Sequence, residues 1–229
     1  MISFLSIREV NWYPVFLSFQ VATVATVIAF VVGVSTGWLL ARKRFPGREF
    51  ADALVTLPLV LPPTVLGYYL LVLLGAHSPV GQWFKEIFGF RLIFTVPAAV
   101  LAAVLHALPL LVKSVRGALE DLAPDCEMVA RTLGASEFRV FLTITLPLVK
   151  RTVLAATALA FARALGDFGV TIMIAGNIPG KTQTVAVAIY DAVQVGREDY
   201  ALVLAVIISI VSVTVLYSVN RLTVSRLQR

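Results

Sequence analysis

Apolar residues run in long unbroken stretches along this chain, and polar ones are confined to the gaps between them. Residues 15–40, 96–112 and 201–219 each exceed or approach the roughly 17–25 residues that an α-helix needs to cross about 30 Å of hydrocarbon. Hydropathy predicts about five spans, at residues 13–41, 51–75, 92–112, 152–175 and 200–219. The runs show no alternation of the kind a transmembrane β-barrel requires. Backbone groups in lipid must then be satisfied within each segment, which leaves helices. The predicted fold class is all-α: a polytopic membrane helical bundle, read as one domain over residues 1–229, with a long loop at residues 113–151 on one side.

Composition supports the bilayer as solvent. The 229 residues are 59% hydrophobic and 14% charged, whereas soluble domains carry about 45–50% apolar and about 25% charged residues. Residues 1–13 lack the basic start of a secretory signal, and the apolar run that follows is too long for one, so the first span is expected to remain in the mature protein. Five spans put the termini on opposite sides, and the basic residues choose between the sides. With the C-terminus inside, the inner segments hold Arg42, Lys43, Arg44, Arg48, Lys113, Arg116, Arg131, Arg139, Lys150, Arg151, Arg221, Arg226 and Arg229. The outer segments hold only Arg8, Lys85, Arg91, Lys181 and Arg197. The expectation is an outward N-terminus and a cytoplasmic C-terminus. The net charge of +6 is thereby explained by topology, without nucleic-acid binding. Cys126 is the single cysteine, which excludes an internal disulfide and a Cys cluster for a metal. No metal or cofactor is expected.

Within residues 113–151 the pattern changes to that of a short surface helix. Cys126, Val129, Ala130 and Leu133 fall at i, i+3, i+4 and i+7, one apolar stripe. Pro124 suits a first turn, Asp125 and Glu127 suit the positive end of the helix dipole, and Gly134 can take the left-handed conformation that ends a helix. Asp125, Glu127, Met128, Arg131 and Thr132 are expected on the opposite face, toward a partner or water. Ser136 can cap a second helix that leads back into the membrane.

The spelling of this segment carries more than its periodicity. Met128-Val129-Ala130-Arg131-Thr132-Leu133-Gly134, followed by Ile144-Thr145-Leu146-Pro147, resembles the EAA loop of bacterial ABC importer permeases. It departs where that loop has its Glu and first Ala, here Met128 and Val129, with Glu127 one residue early. The runs Leu57 to Tyr68, Phe161 to Gly169 and Gly176 to Thr184 are similar to the molybdate permease branch of that family, as is the short length. The resemblance implies that the helix couples to an ATPase through Asp125, Glu127, Met128, Val129, Ala130, Arg131, Leu133 and Gly134. It also implies a homodimer, two copies of an ATPase subunit, an oxyanion-binding protein on the outer side and a bacterial cytoplasmic membrane. Sulfate permeases share the EAA loop but usually have longer chains; sulfate and tungstate stay open as cargo. A secondary transporter would leave the inner loop unexplained, and an intramembrane enzyme would need a catalytic constellation that the chain lacks.

Gly176-Asn177-Ile178-Pro179-Gly180-Lys181-Thr182 ends like a phosphate-binding loop, but three residues, not four, separate its glycines. A turn on the outer side is the better reading, and ATP hydrolysis is assigned to another chain. Pro58, Pro62 and Pro63 interrupt the second span, as a packing kink or as the wall of a pathway. Trp12, Tyr13, Trp38 and Trp83 read as interfacial anchors. Gly33 and Gly37 allow close helix approach, within the chain or between chains. His106 reads as an interhelical hydrogen-bonding group, with no titratable partner identifiable. Arg163 and Asp167 share one face of the fourth span at a depth where charge is costly. They form either a self-neutralising pair or, with Pro62, Pro63, Gly166 and Gly169, part of the translocation pathway.

Overall fold

A computed structural model describes residues 11–122 and 125–224, which form helices and turns without a strand among them. Eleven α-helices and one π-helical turn follow in order: α1 Tyr13–Arg42, α2 Arg48–Val60, α3 Pro63–Leu74, α4 Pro79–Phe88, α5 Val96–Glu120, α6 Asp125–Thr132, α7 Glu137–Val140, the π-helical turn Phe141–Thr145, α8 Leu146–Leu165, α9 Gly169–Ile174, α10 Val185–Gln194 and α11 Glu198–Val224. Among the described residues, four helical stretches are long and apolar enough to cross a membrane: Tyr13–Arg42, Val96–Glu120, Glu137–Leu165 and Glu198–Ser218. The pair α2 and α3, bent by 114°, makes a fifth when taken as one broken span.

The core is built by α1, α5 and α8 on seams of alanine. Ala22, Ala25 and Ala29 of α1, Ala99, Ala102, Ala103 and Ala107 of α5, and Ala156, Ala160 and Ala164 of α8 are all buried. In lipid, where apolar burial alone does not drive helices together, small side chains gain association by letting backbones approach. Gly33 and Gly37 extend the α1 seam: an added Cβ would lie 2.8 Å from Leu111 Cβ and 2.9 Å from Val115 Cβ. Their close approach is therefore within the chain. A second buried cluster, Val34, Val115, Leu119, Val149 and Val153, closes the same three helices near the Arg42 end of α1.

Two ends of the bundle are distinguished by their contacts. At one, Tyr13 Oη donates to the Lys181 carbonyl (3.1 Å), Ser18 Oγ accepts from the Val185 backbone N–H (2.8 Å) and Tyr200 Oη donates to the Asn11 carbonyl (3.3 Å). At the other, Asp52 of α2 contacts Lys113 (2.5 Å) and Arg116 (3.0 Å) of α5, and Glu120 contacts Arg48 (2.7 Å) and Arg116 (2.9 Å). α11 stands at the periphery, with 11% of its apolar window buried.

Several boundaries differ from the hydropathy reading for physical reasons. Helix α5 runs on to Glu120 because its last turns are tied to α2 by these ion pairs, so Lys113 and Arg116 belong to a helix. The expected span at 152–175 is in fact α8 followed by a break and the short α9. A hydropathy window averages across a break whose residues are mostly uncharged. α4 and α10 were not foreseen, since 10 residues fall below the length a span needs.

Candidate functional site

Two places gather the residues singled out by sequence. The first is α6, at the Arg42 end. Gly134 takes φ +84° with nothing within 4 Å of an added Cβ. Its N–H bonds the Arg131 carbonyl (3.0 Å) while the Ala135 N–H bonds the Ala130 carbonyl (3.1 Å). This is the double-bonded Schellman ending, which satisfies the last carbonyls of a helix through a left-handed residue. Ser136 Oγ then accepts from the Arg139 backbone N–H (3.4 Å), the expected cap of α7.

The faces of α6 are only partly as expected: Met128 and Thr132 are exposed, but Val129 and Leu133 are exposed as well and Glu127 is not. Leu133 is 83% exposed, Val129 59% and Met128 49%, and Phe138 of α7 is 72% exposed beside them. Glu127, expected to face outward, is 2% exposed. Its Oε1 accepts from Arg42 Nη2 (2.8 Å) and Thr145 Oγ1 (2.8 Å), and its Oε2 from Arg131 Nη2 (3.3 Å). Three donors converge on this buried carboxyl group, which answers the requirement that a polar group removed from water be hydrogen-bonded. Ala130 and Arg131 are half-buried and Thr132 is exposed. Pro124 lies outside the described residues, as do the side chains of Asp125 and Cys126.

The second place lies where two helix breaks touch. Between α2 and α3, Leu61 and Pro62 are extended (ψ 137° and 135°), and Pro62 and Pro63 supply no N–H. Between α8 and α9, Gly166 leaves helical geometry at ψ 13°. A Cβ on Gly169 would stand 2.5 Å from Pro63 Cβ, so the first residue of α9 abuts the first residue of α3. Gly166 is less constrained, its nearest neighbour being the Ala162 carbonyl at 3.6 Å.

Asp167 occupies the second break at 3% exposure. Its Oδ1 lies 2.6 Å from His106 Nδ1 of α5, and its Oδ2 accepts from the Thr171 hydroxyl (2.5 Å) and backbone N–H (3.2 Å) of α9. Arg163 Nη1 stands farther off, 3.7 Å from Oδ1, with its side chain 35% exposed. His106 thus has a titratable partner that the sequence reading did not identify. Asp167 is satisfied chiefly by His106 and Thr171, and the guanidinium of Arg163 retains donors for another group. The phosphate-loop lookalike is a turn closed by bonds from the Lys181 and Thr182 N–H groups to the Ile178 carbonyl (both 3.0 Å).

The chain can be set beside known proteins on these features. The binding-protein-dependent transport system inner membrane component family matches residues 12–229. The molybdenum transport system permease protein ModB of Escherichia coli K12 is 43% identical over 202 residues, 88% of each chain. The sulfate transport system permease protein CysT of the same organism is 36% identical over 88% of this chain but 72% of its own. A crystal structure of a bacterial alginate ABC transporter, in complex with a periplasmic protein carrying an alginate pentasaccharide, contains a chain that superposes with a TM-score of 0.80. It covers 97% of this chain and 84% of that one at 16% identity, a likeness of fold. The chain belongs to the family of binding-protein-dependent transport system inner membrane components.

Proposed function

We propose that the chain is the permease subunit of an ATP-driven importer of molybdate in a bacterial cytoplasmic membrane. The observation that carries the cargo is the 43% identity to a molybdenum permease that extends over equal shares, 88%, of both chains. Sulfate is the second reading, supported by the 36% identity to CysT. That match leaves more than a quarter of the sulfate protein uncovered, which favours molybdate.

In this reading ATP is hydrolysed by a separate subunit, present in two copies, beneath a dimer of this chain; an oxyanion-binding protein delivers cargo from outside. The end carrying Arg42, Lys113 and Arg131 is cytoplasmic, in keeping with the retention of basic residues there. The docking face for the ATPase is formed by Met128, Val129 and Leu133, continued by Phe138. Four exposed apolar side chains on one short polar-flanked segment support a protein contact. Gly134 sets the end of that face, Ala130 and Arg131 hold its underside, and Asp125 stands at its start. Glu127 acts from within.

The pathway passes the touching breaks, with Pro62, Pro63, Gly166 and Gly169 shaping it and Arg163 offering positive charge to a dianion. The looseness of the Arg163 to Asp167 contact, 3.7 Å, supports this over a closed ion pair, because Asp167 is already held by other donors. Irregular backbone at membrane depth is tolerated where it lines a cavity or packs on protein.

Deleting the gene is expected to abolish molybdoenzyme activity at trace molybdate, with recovery on excess molybdate or on return of the gene. A deletion strain that instead requires reduced sulfur would establish the sulfate reading. For the docking face, Leu133→Asp is expected to prevent co-purification of the ATPase while the permease still accumulates in the membrane.

A further inference from the structure

We infer that Arg42, Glu127 and Thr145 form a mechanical tie that fixes the coupling helix to the packed core, so that displacement of α6 by the ATPase reaches α1 and α8 together. The inference rests on the coupling role proposed for α6 and concerns residues that lie behind its docking face.

Glu127 has no route to an ATPase surface: it is 2% exposed, and its donors come from within the chain. Those donors belong to different elements. Arg42 is the last residue of α1, 85 positions away, and Thr145 is the last residue of the π-helical turn, 18 positions away. Both bond the same oxygen, Oε1, at 2.8 Å. Thr145 is itself 1% exposed, so Glu127 and Thr145 are enclosed where they meet, and Arg42 completes the joint from a partly exposed position. A second layer surrounds it: Arg131 Nε contacts Glu137 Oε1 of α7 (2.8 Å), and Lys43 Nζ stands 3.9 Å from Glu137 Oε2.

Helix α6 has eight residues, too few to hold shape or direction without tertiary support. Its exposed side is reserved for the partner, so its orientation must be set from the buried side, where Glu127 is the one fully buried polar anchor among the described residues of α6. What the tie grips is stiff. Immediately inward of Arg42 and Thr145 lies the cluster of Val34, Val115, Leu119, Val149 and Val153, which joins α1, α5 and α8. Close-packed interiors compress little and transmit displacement. Thr145 also closes a π-helical turn, with the Leu146 N–H bonded to the Phe141 carbonyl. Such widened turns are rare and recur at functional sites. Here the turn sets Thr145 inward at the point where the chain re-enters the membrane, while Thr143 is exposed.

Glu127, Arg42 and Thr145 are accordingly positioning residues, acting through one another on α6. The test uses the full complex of permease and ATPase subunits in proteoliposomes with the binding protein outside and labelled molybdate as probe, reading uptake and ATP hydrolysis in the same sample. Thr145→Val, which keeps shape and removes the hydroxyl donor, and Arg42→Gln are expected to assemble and to hydrolyse ATP. Molybdate taken up per ATP should fall about tenfold, as loss of a charge-assisted bond warrants. Thr145→Ser should restore the ratio, and the exchange Arg42→Glu with Glu127→Arg should recover part of it. An unchanged ratio in assembled Thr145→Val overturns the tie. So does a fall of uptake and hydrolysis in step with the amount of complex recovered, the signature of a merely structural role. Failure of the coupling reading is separately visible, because Leu133→Asp would then leave ATPase binding intact.

Discussion

Asp167 and Arg163 are one helical turn apart in sequence, yet the structure treats them differently. Asp167 is enclosed by His106 and Thr171, and removing it leaves a buried imidazole and hydroxyl without their acceptor. Leaving a buried polar group without its hydrogen-bond partner costs about 1–3 kcal/mol. Asp167→Ala is therefore expected to lower the thermal midpoint of the purified protein markedly, and His106→Ala to do so less. Arg163, half-exposed and 3.7 Å from its neighbour, should be replaceable by Gln with a stability change near the roughly 0–1 kcal/mol of an exposed pair, but with a large loss of molybdate uptake. Equal stability losses at both positions would remove the distinction. Sequence spacing made Arg163 and Asp167 visible as a pair, because i and i+4 share a face on any helix. The stronger partner, His106, is 61 positions from Asp167. Only the packing of α5 on α8 and α9 sets that contact, so no local pattern could reveal it.

The break at Pro62 and Pro63 and the cap at Gly134 were legible from sequence, since proline and left-handed glycine act through their own backbone; the break between α8 and α9 was not. Pro62 and Pro63 end one helix and begin another at the expected place and Gly134 takes the expected positive φ, whereas Pro58, expected to interrupt the span with them, lies within α2. Gly134→Val would force a β-branched residue into that region at about 1–2 kcal/mol. The expected result is normal membrane accumulation with reduced ATPase binding, since only the short α6 depends on it. Gly169 is limited by space instead. A Cβ there meets Pro63, and overpacking of this kind costs about 1–3 kcal/mol. Gly169→Val should therefore separate the two breaks and impair uptake while the ATPase still binds, the opposite pairing of effects. Periodicity placed α6 correctly and set Met128 and Thr132 outward, but it turned Val129 and Leu133 inward and Glu127 outward, against their observed positions. The stripe of Val129 and Leu133 follows the usual rule that apolar sides turn inward. Glu127 overrides it, because two of its three donors, Arg42 and Thr145, come from elsewhere in the chain.

For the whole molecule, the sorting of charge should decide which end meets the cytoplasm. Helix α1, with 30 residues, is about 45 Å long and can cross the hydrocarbon with turns to spare at both ends. Its Tyr13 end lies beside Lys181 and its Arg42 end beside Glu127, so these two neighbourhoods must be on opposite sides of the membrane whichever way the chain is inserted. Arg42, Lys43, Arg44, Arg48, Lys113, Arg116, Arg131 and Arg139 all lie toward the second neighbourhood. In the proposed function that side is the cytoplasmic one, in keeping with retention of Lys and Arg near span ends. The consequence can be measured on a Cys126→Ser background, which removes the single native thiol. Lys181→Cys, at an exposed turn, should react with a membrane-impermeant maleimide in cells whose outer barrier alone has been opened. Leu133→Cys, 83% exposed, should react only after the inner membrane is opened, and then more slowly when the ATPase is bound. Reaction of Leu133→Cys from outside would invert the assignment and, with it, the placement of the ATPase at α6. Protection of Leu133→Cys by the ATPase would tie the charge argument and the docking argument to the same face.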